Sequence, residues 1–125
     1  MIQKLILLGL AGALGTLARY GAAGLVHRVD GVSFPWGTLV VNLLGCFLAG
    51  LFWAMFEGRW VVSSQTRLLV LVGFMGGFTT FSGYILETGE LLRATEWFRA
   101  GANFALQNGL GLIAVYFGVT LGRSV

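Results

Sequence analysis

Four apolar runs, each about as long as a bilayer-spanning helix, follow one another along the chain with only short polar connections between them. They lie at about 2–26, 36–56, 68–86 and 100–121, and the segments His27–Pro35, Glu57–Thr66 and Glu87–Arg99 hold most of the charge. In hydrocarbon a single segment must satisfy its own backbone groups, which a helix does. Residues 1–125 are therefore read as a single four-helix transmembrane domain with no length left for a domain outside the membrane. Composition agrees: the chain is 57% hydrophobic and 10% charged, where soluble domains carry roughly 25% charged residues. Trp36, Trp60 and Trp97 fall at segment ends, where indole rings favour the membrane–water interface. Pro35 stands where a helix can begin without losing a needed N–H. The N-terminal run is expected to stay as a span rather than be cleaved as a signal peptide, because about 25 apolar residues pass without an Ala-x-Ala-like site after a short core.

Within the third run, Gly73-Phe74-Met75-Gly76-Gly77-Phe78-Thr79-Thr80-Phe81-Ser82-Gly83-Tyr84 places four glycines and three aliphatic hydroxyls at membrane depth. A helix broken there frees N–H and C=O groups that protein, water or an ion must satisfy. The third helix is expected to break mid-membrane, beside an ion path.

Net charge is +3, but the eight basic residues are scattered rather than gathered on one face, which argues against a nucleic-acid partner. With a cytoplasmic N-terminus, Lys4, Arg59, Arg67 and Arg123 lie inside, Arg28, Arg93 and Arg99 outside, and Arg19 within the first span. Four against three gives the positive-inside rule almost nothing to act on, so insertion both ways up, and an antiparallel homodimer, are expected. Small residues spaced four apart, such as Gly45 and Ala49, Gly73 and Gly77, or Gly118 and Gly122, allow close helix contacts within a subunit or between two. Cys46, the lone cysteine, is read as a packing residue.

Polar groups inside spans are functional candidates. Thr38, Asn42, Gly45 and Ala49 make one small, polar face of the second helix, and the Asn42 amide is read either as a pair of donors for an anion or as an interhelical bond. Asn103, Gln107 and Asn108 either line the same route or hold the fourth helix to its neighbours. Arg19 is an anion attractor at a vestibule or an anchor for carbonyls freed by the break, with the second reading favoured. Glu87 lies near the polar track at the end of the third run, and Glu90 is expected in solvent.

Gly37-Thr38-Leu39-Val40-Val41-Asn42 followed by Gly76-Gly77-Phe78-Thr79-Thr80-Phe81-Ser82, with Arg19 in the first span, resembles the Fluc (CrcB-type) fluoride ion channels over essentially the whole chain. The resemblance implies an all-α, dual-topology antiparallel dimer in a bacterial or archaeal inner membrane. It also implies two fluoride pores and a central structural sodium ion held by the backbone carbonyls of Gly76 and Thr79 from both subunits. It assigns Asn42 and Ser82 to the fluoride route, with Thr80 as a further hydroxyl donor and Phe81 offering an electropositive ring edge. The family's second phenylalanine is here Tyr84, a following hydroxyl is Ile85, and a fourth-helix threonine is Val115, so the polar track is reduced. Asn103 falls where some relatives carry a pore-facing tyrosine and is expected to compensate. The function so implied is passive, selective export of cytoplasmic fluoride. A proton-coupled multidrug transporter of similar size is the alternative, opposed by the lack of a carboxylate well inside a span, and a non-transporting membrane assembly subunit is another. No nucleophile–base pair, phosphate loop or metal-ligand cluster points to an enzyme.

Overall fold

The computed structural model describes residues 1–30 and 34–125, without the side chains of residues 28–30. The side chain of Arg28, counted above on the outer side, and residues 31–33 of the first connection therefore lie outside what is described.

Among the described residues every regular element is helical. The order is α1 (Ile2–Asp30), α2 (Trp36–Glu57), α3 (Ser64–Leu68), a π-helical stretch (Leu69–Phe74), α4 (Met75–Phe78), α5 (Phe81–Arg93) and α6 (Trp97–Ser124). The pieces from α3 to α5 form one span, so four stretches are long and apolar enough to cross a membrane: Ile2–His27, Trp36–Glu57, Ser64–Arg93 and Trp97–Ser124. This is an all-α membrane protein of four spans whose third is broken.

The third span is longer than the apolar run that announced it. Ser63 caps its start by accepting the Thr66 N–H at 3.0 Å, and its other end continues through Glu87 and Glu90 to Arg93. Glu87, expected at the span's end, thus lies almost two turns inside the helix. Only Ala94–Glu96 separate α5 from α6, and Thr95 reverses the chain with φ 56°.

Glycine lets two helix pairs close to backbone contact. A Cβ on Gly15 would run into the Phe74 carbonyl, and one on Gly77 into the Gly12 carbonyl, which seats α1 on the π-helical stretch and α4. On the other side a Cβ on Gly118 would meet the Phe47 carbonyl, and one on Gly122 would lie 2.5 Å from the Leu51 carbonyl, joining α6 to α2. Val41, Met75 and Phe78 are buried where the two pairs meet, with Phe74, Leu48 and Phe52 packed against them. Leu5, Leu10, Leu14 and Leu17 of α1 and Leu112, Tyr116 and Phe117 of α6 are exposed, as suits helices that face acyl chains. Gly9, Gly101 and Gly109 meet nothing within 4 Å in the subunit.

Candidate functional site

The break falls at Thr79 and Thr80, not at the glycines. Gly76 and Gly77 remain helical in α4, while Thr79 (φ −92°, ψ 157°) and Thr80 (φ −144°, ψ 110°) are extended. Thr80 then caps α5, its hydroxyl accepting the Gly83 N–H at 2.9 Å. Thr79 Oγ1 turns back to donate to the Met75 carbonyl at 2.9 Å.

The freed backbone groups go to side chains from two other spans. The Thr80 N–H, which a continuous helix would give to the Gly76 carbonyl, donates instead to Asn42 Oδ1 at 2.8 Å. Asn42 Nδ2 returns a bond to the Thr80 carbonyl at 3.0 Å, so the amide pairs with this peptide as one strand pairs with another. Its other hydrogen goes to Gln107 Oε1 at 3.1 Å. Arg19 Nε donates to the Gly77 carbonyl at 3.1 Å, the anchoring role of the two considered for it. Both Nδ2 hydrogens of Asn42 are therefore taken up by protein acceptors.

Beside the break lies a cavity of about 400 Å³ lined by Asn42, Gly76, Thr79, Thr80, Phe81, Tyr84, Gln107 and Asn108, among others, with Gly45 and Cys46 of α2 and Val115 of α6 in its wall. Phe81 is 75% exposed and Tyr84 4% exposed. Their rings meet edge to face at 5.7 Å and 72°. Tyr84 Oη accepts a bond from Asn108 Nδ2 at 3.1 Å. Ser82 is exposed and is not part of this wall, and its Oγ lies 3.4 Å from Thr80 Oγ1.

The other expected residues stand apart from this cavity. Thr38 Oγ1 donates to Glu87 Oε1 at 2.6 Å, bridging α2 and α5, and Glu87 lines a second cavity of about 390 Å³ with His27, Glu90, Glu96 and Arg99. Asn103 is fully buried and donates to Thr88 Oγ1 at 2.9 Å, which fastens α6 to α5. Gln107 Nε2, Asn103 Oδ1 and Glu87 Oε2 are buried with no hydrogen-bond partner among the described residues. Gln107 and Asn108 appeared in the sequence only as open alternatives. Their partners lie 65 and 24 residues away, a separation that no local pattern reveals.

Among the described residues no group of three or more His, Cys, Asp or Glu side chains is placed to hold a metal ion. Backbone oxygens are a different matter. The Gly76 carbonyl has lost its helical donor to Asn42, and the Thr79 carbonyl has lost the Gly83 N–H to Thr80 Oγ1. Two uncommitted carbonyls on neighbouring turns suit a hard cation that takes oxygen ligands.

These features define a multi-pass membrane protein with an interrupted span, whose freed peptide is held by amides from its neighbours at the edge of a cavity. The chain belongs to the CrcB-like family: the family described as "CrcB-like protein, Camphor Resistance (CrcB)" matches residues 6–119. It is 56% identical over 125 residues to a protein of Desulforapulum autotrophicum named "Fluoride-specific ion channel FluC", with all of both chains covered. Proteins of the same name from Nitrosococcus oceani and Solidesulfovibrio magneticus are 50% and 49% identical, again over the full length of both chains.

Proposed function

We propose that this chain is a fluoride-selective channel that lets cytoplasmic fluoride leave passively down its gradient. The observation that carries the reading is full-length identity of 56% to a relative named for that activity. The site is chemically suited to it. Fluoride is small and strongly hydrated, so a low-dielectric passage costs several kcal/mol unless donors replace its water. Hydroxyl and amide donors together with the ring edges of Phe81 and Tyr84 supply positive character with no lysine or arginine side chain in the cavity wall.

The working unit is an antiparallel homodimer in a bacterial or archaeal inner membrane. Gly9, Gly101 and Gly109 meet nothing within 4 Å in the subunit and leave room for helix contacts beyond it. The Gly76 and Thr79 carbonyls would hold a sodium ion jointly with those of a second copy. Such an ion supplies positive charge and ties the two breaks together; Asn42 and Thr80 leave those carbonyls available for it.

Liposomes containing the protein are expected to release fluoride, read with a fluoride electrode, while retaining chloride. Chloride release at a comparable rate would refute the selectivity. Replacing sodium throughout by a large organic cation is expected to loosen the dimer, seen by crosslinking, and undiminished dimer would refute the shared ion.

A further inference from the structure

We infer that in this chain the donors that bind the anion are Gln107 Nε2–H and Tyr84 Oη–H, each aimed by an asparagine that does not itself touch the ion. This rests on the channel reading above and names the groups that do its binding.

Two hydrogen-bond relays carry the argument, and both have their direction fixed by backbone. In the first, the Thr80 N–H can only donate, so the Asn42 atom 2.8 Å from it is the acceptor Oδ1. Asn42 Nδ2 must then face the Thr80 carbonyl at 3.0 Å and the Gln107 side chain at 3.1 Å, and the Gln107 atom that meets it has to be oxygen. The Gln107 amide is thereby turned with its NH₂ away from Asn42. That NH₂ is buried and has no partner among the described residues, a costly state for a group inside a membrane protein.

In the second relay the Phe104 carbonyl can only accept, so the Asn108 atom 2.9 Å from it is Nδ2. The same nitrogen donates to Tyr84 Oη at 3.1 Å. Tyr84 is thus an acceptor toward Asn108, and its own proton has no acceptor among the described residues. Gln107 and Tyr84 both line the same 400 Å³ cavity, and each keeps a hydrogen without an acceptor: the Tyr84 hydroxyl beside the Phe81 ring and the Gln107 NH₂ buried just behind the wall, within reach of an ion after a side-chain rotation. Two oriented donors with no carboxylate in the cavity wall suit a small anion. The tyrosine in place of a second phenylalanine is then an added ligand, which offsets the hydroxyls absent at Ile85 and Val115.

Asn42 and Asn108 act as positioning residues. Gln107→Glu retains the acceptor for Asn42 and removes the donor, and Tyr84→Phe retains the ring and removes the hydroxyl. Tyr84→Phe is expected to slow fluoride efflux roughly ten- to a hundredfold, the loss of one hydrogen bond to a charged group, and Gln107→Glu by at least as much, because its carboxylate also repels the anion. Asn108→Ala is expected to slow efflux in the wild-type background and to add nothing to Tyr84→Phe, whereas a purely structural asparagine would add its effect to both. Folding of each variant is checked by gel filtration, and if Gln107→Glu does not fold, Tyr84→Phe alone decides.

Binding is read separately from conduction, by titrating the ¹⁵N-labelled protein in detergent with sodium fluoride and, as control, sodium chloride. The Gln107 side-chain amide resonances are expected to move with fluoride only. Wild-type efflux with both variants at about the wild-type rate and an unmoved amide overturns the donor pair and leaves the channel standing. Absence of wild-type efflux overturns the channel reading instead, and the titration then decides the donor pair by itself.

Discussion

Replacing Asn42 by alanine removes three hydrogen bonds at once, to the Thr80 N–H, the Thr80 carbonyl and Gln107 Oε1. Polar contacts between membrane helices average about 0.6 kcal/mol and reach about 1.7, so the three together stabilise the fold by about 2–5 kcal/mol. The upper part of that range is expected, because the Thr80 N–H sits in a break where no i−4 helical bond is formed. Thr38→Val is the matched control, since it removes the single bond to Glu87 and is expected to cost only about 0.5–1.7 kcal/mol. The measurement is reversible unfolding in mixed micelles with rising dodecyl sulfate, followed by tryptophan fluorescence, with the free energies compared at one detergent fraction. A double-mutant cycle of Asn42→Ala with Gln107→Ala isolates the bond between them and is expected to give a coupling of about 0.5–1.5 kcal/mol. If Asn42→Ala costs no more than Thr38→Val and the coupling is zero, the amide does not hold the break and the reasoning fails.

Gly77→Ala pushes a methyl group into the Gly12 carbonyl and to 3.1 Å from the Thr16 nitrogen, both backbone, and is expected to destabilise by about 1–3 kcal/mol. Gly9→Ala, with nothing within 4 Å, is expected to leave unfolding of the subunit unchanged in the same assay; equal losses at the two sites would contradict the packing described. Glu87→Gln keeps the oxygen that accepts from Thr38 and removes the carboxylate charge inside the third span. Fluoride efflux is expected to persist in it and to ignore an imposed proton gradient, whereas loss of a proton-dependent flux would favour the coupled-transporter alternative.

The apolar runs gave away the four spans because lipid forces each segment to close its own backbone hydrogen bonds. The break was legible only as a region. Its glycines mark the stretch, yet Gly77 is helical and serves to bring α4 against α1, and the chain opens two residues later at threonines whose hydroxyls replace backbone partners. Asn42 stood out as a polar residue at membrane depth, but its partner is 38 residues away, so sequence left its role open between an ion ligand and a bridge. The third helix outruns its apolar run because hydropathy falls at Glu87 while the helix does not, Thr38 providing that carboxylate with a donor. Nothing in the sequence signalled the π-helical turns at Leu69–Phe74.

The bridge at Thr80 also bears on how such a protein can be made. Spans leave the ribosome in order, and the third carries an N–H into hydrocarbon that it cannot satisfy alone, at several kcal/mol for an unmet group. Asn42 belongs to the helix synthesised before it, so the acceptor is already in the membrane when the break arrives. Gln107 comes last, and only its arrival fixes the far end of the relay. A nascent chain stopped after the third span would thus hold a closed break and an unfinished cavity, which makes the final helix the step that turns an inserted bundle into a working one.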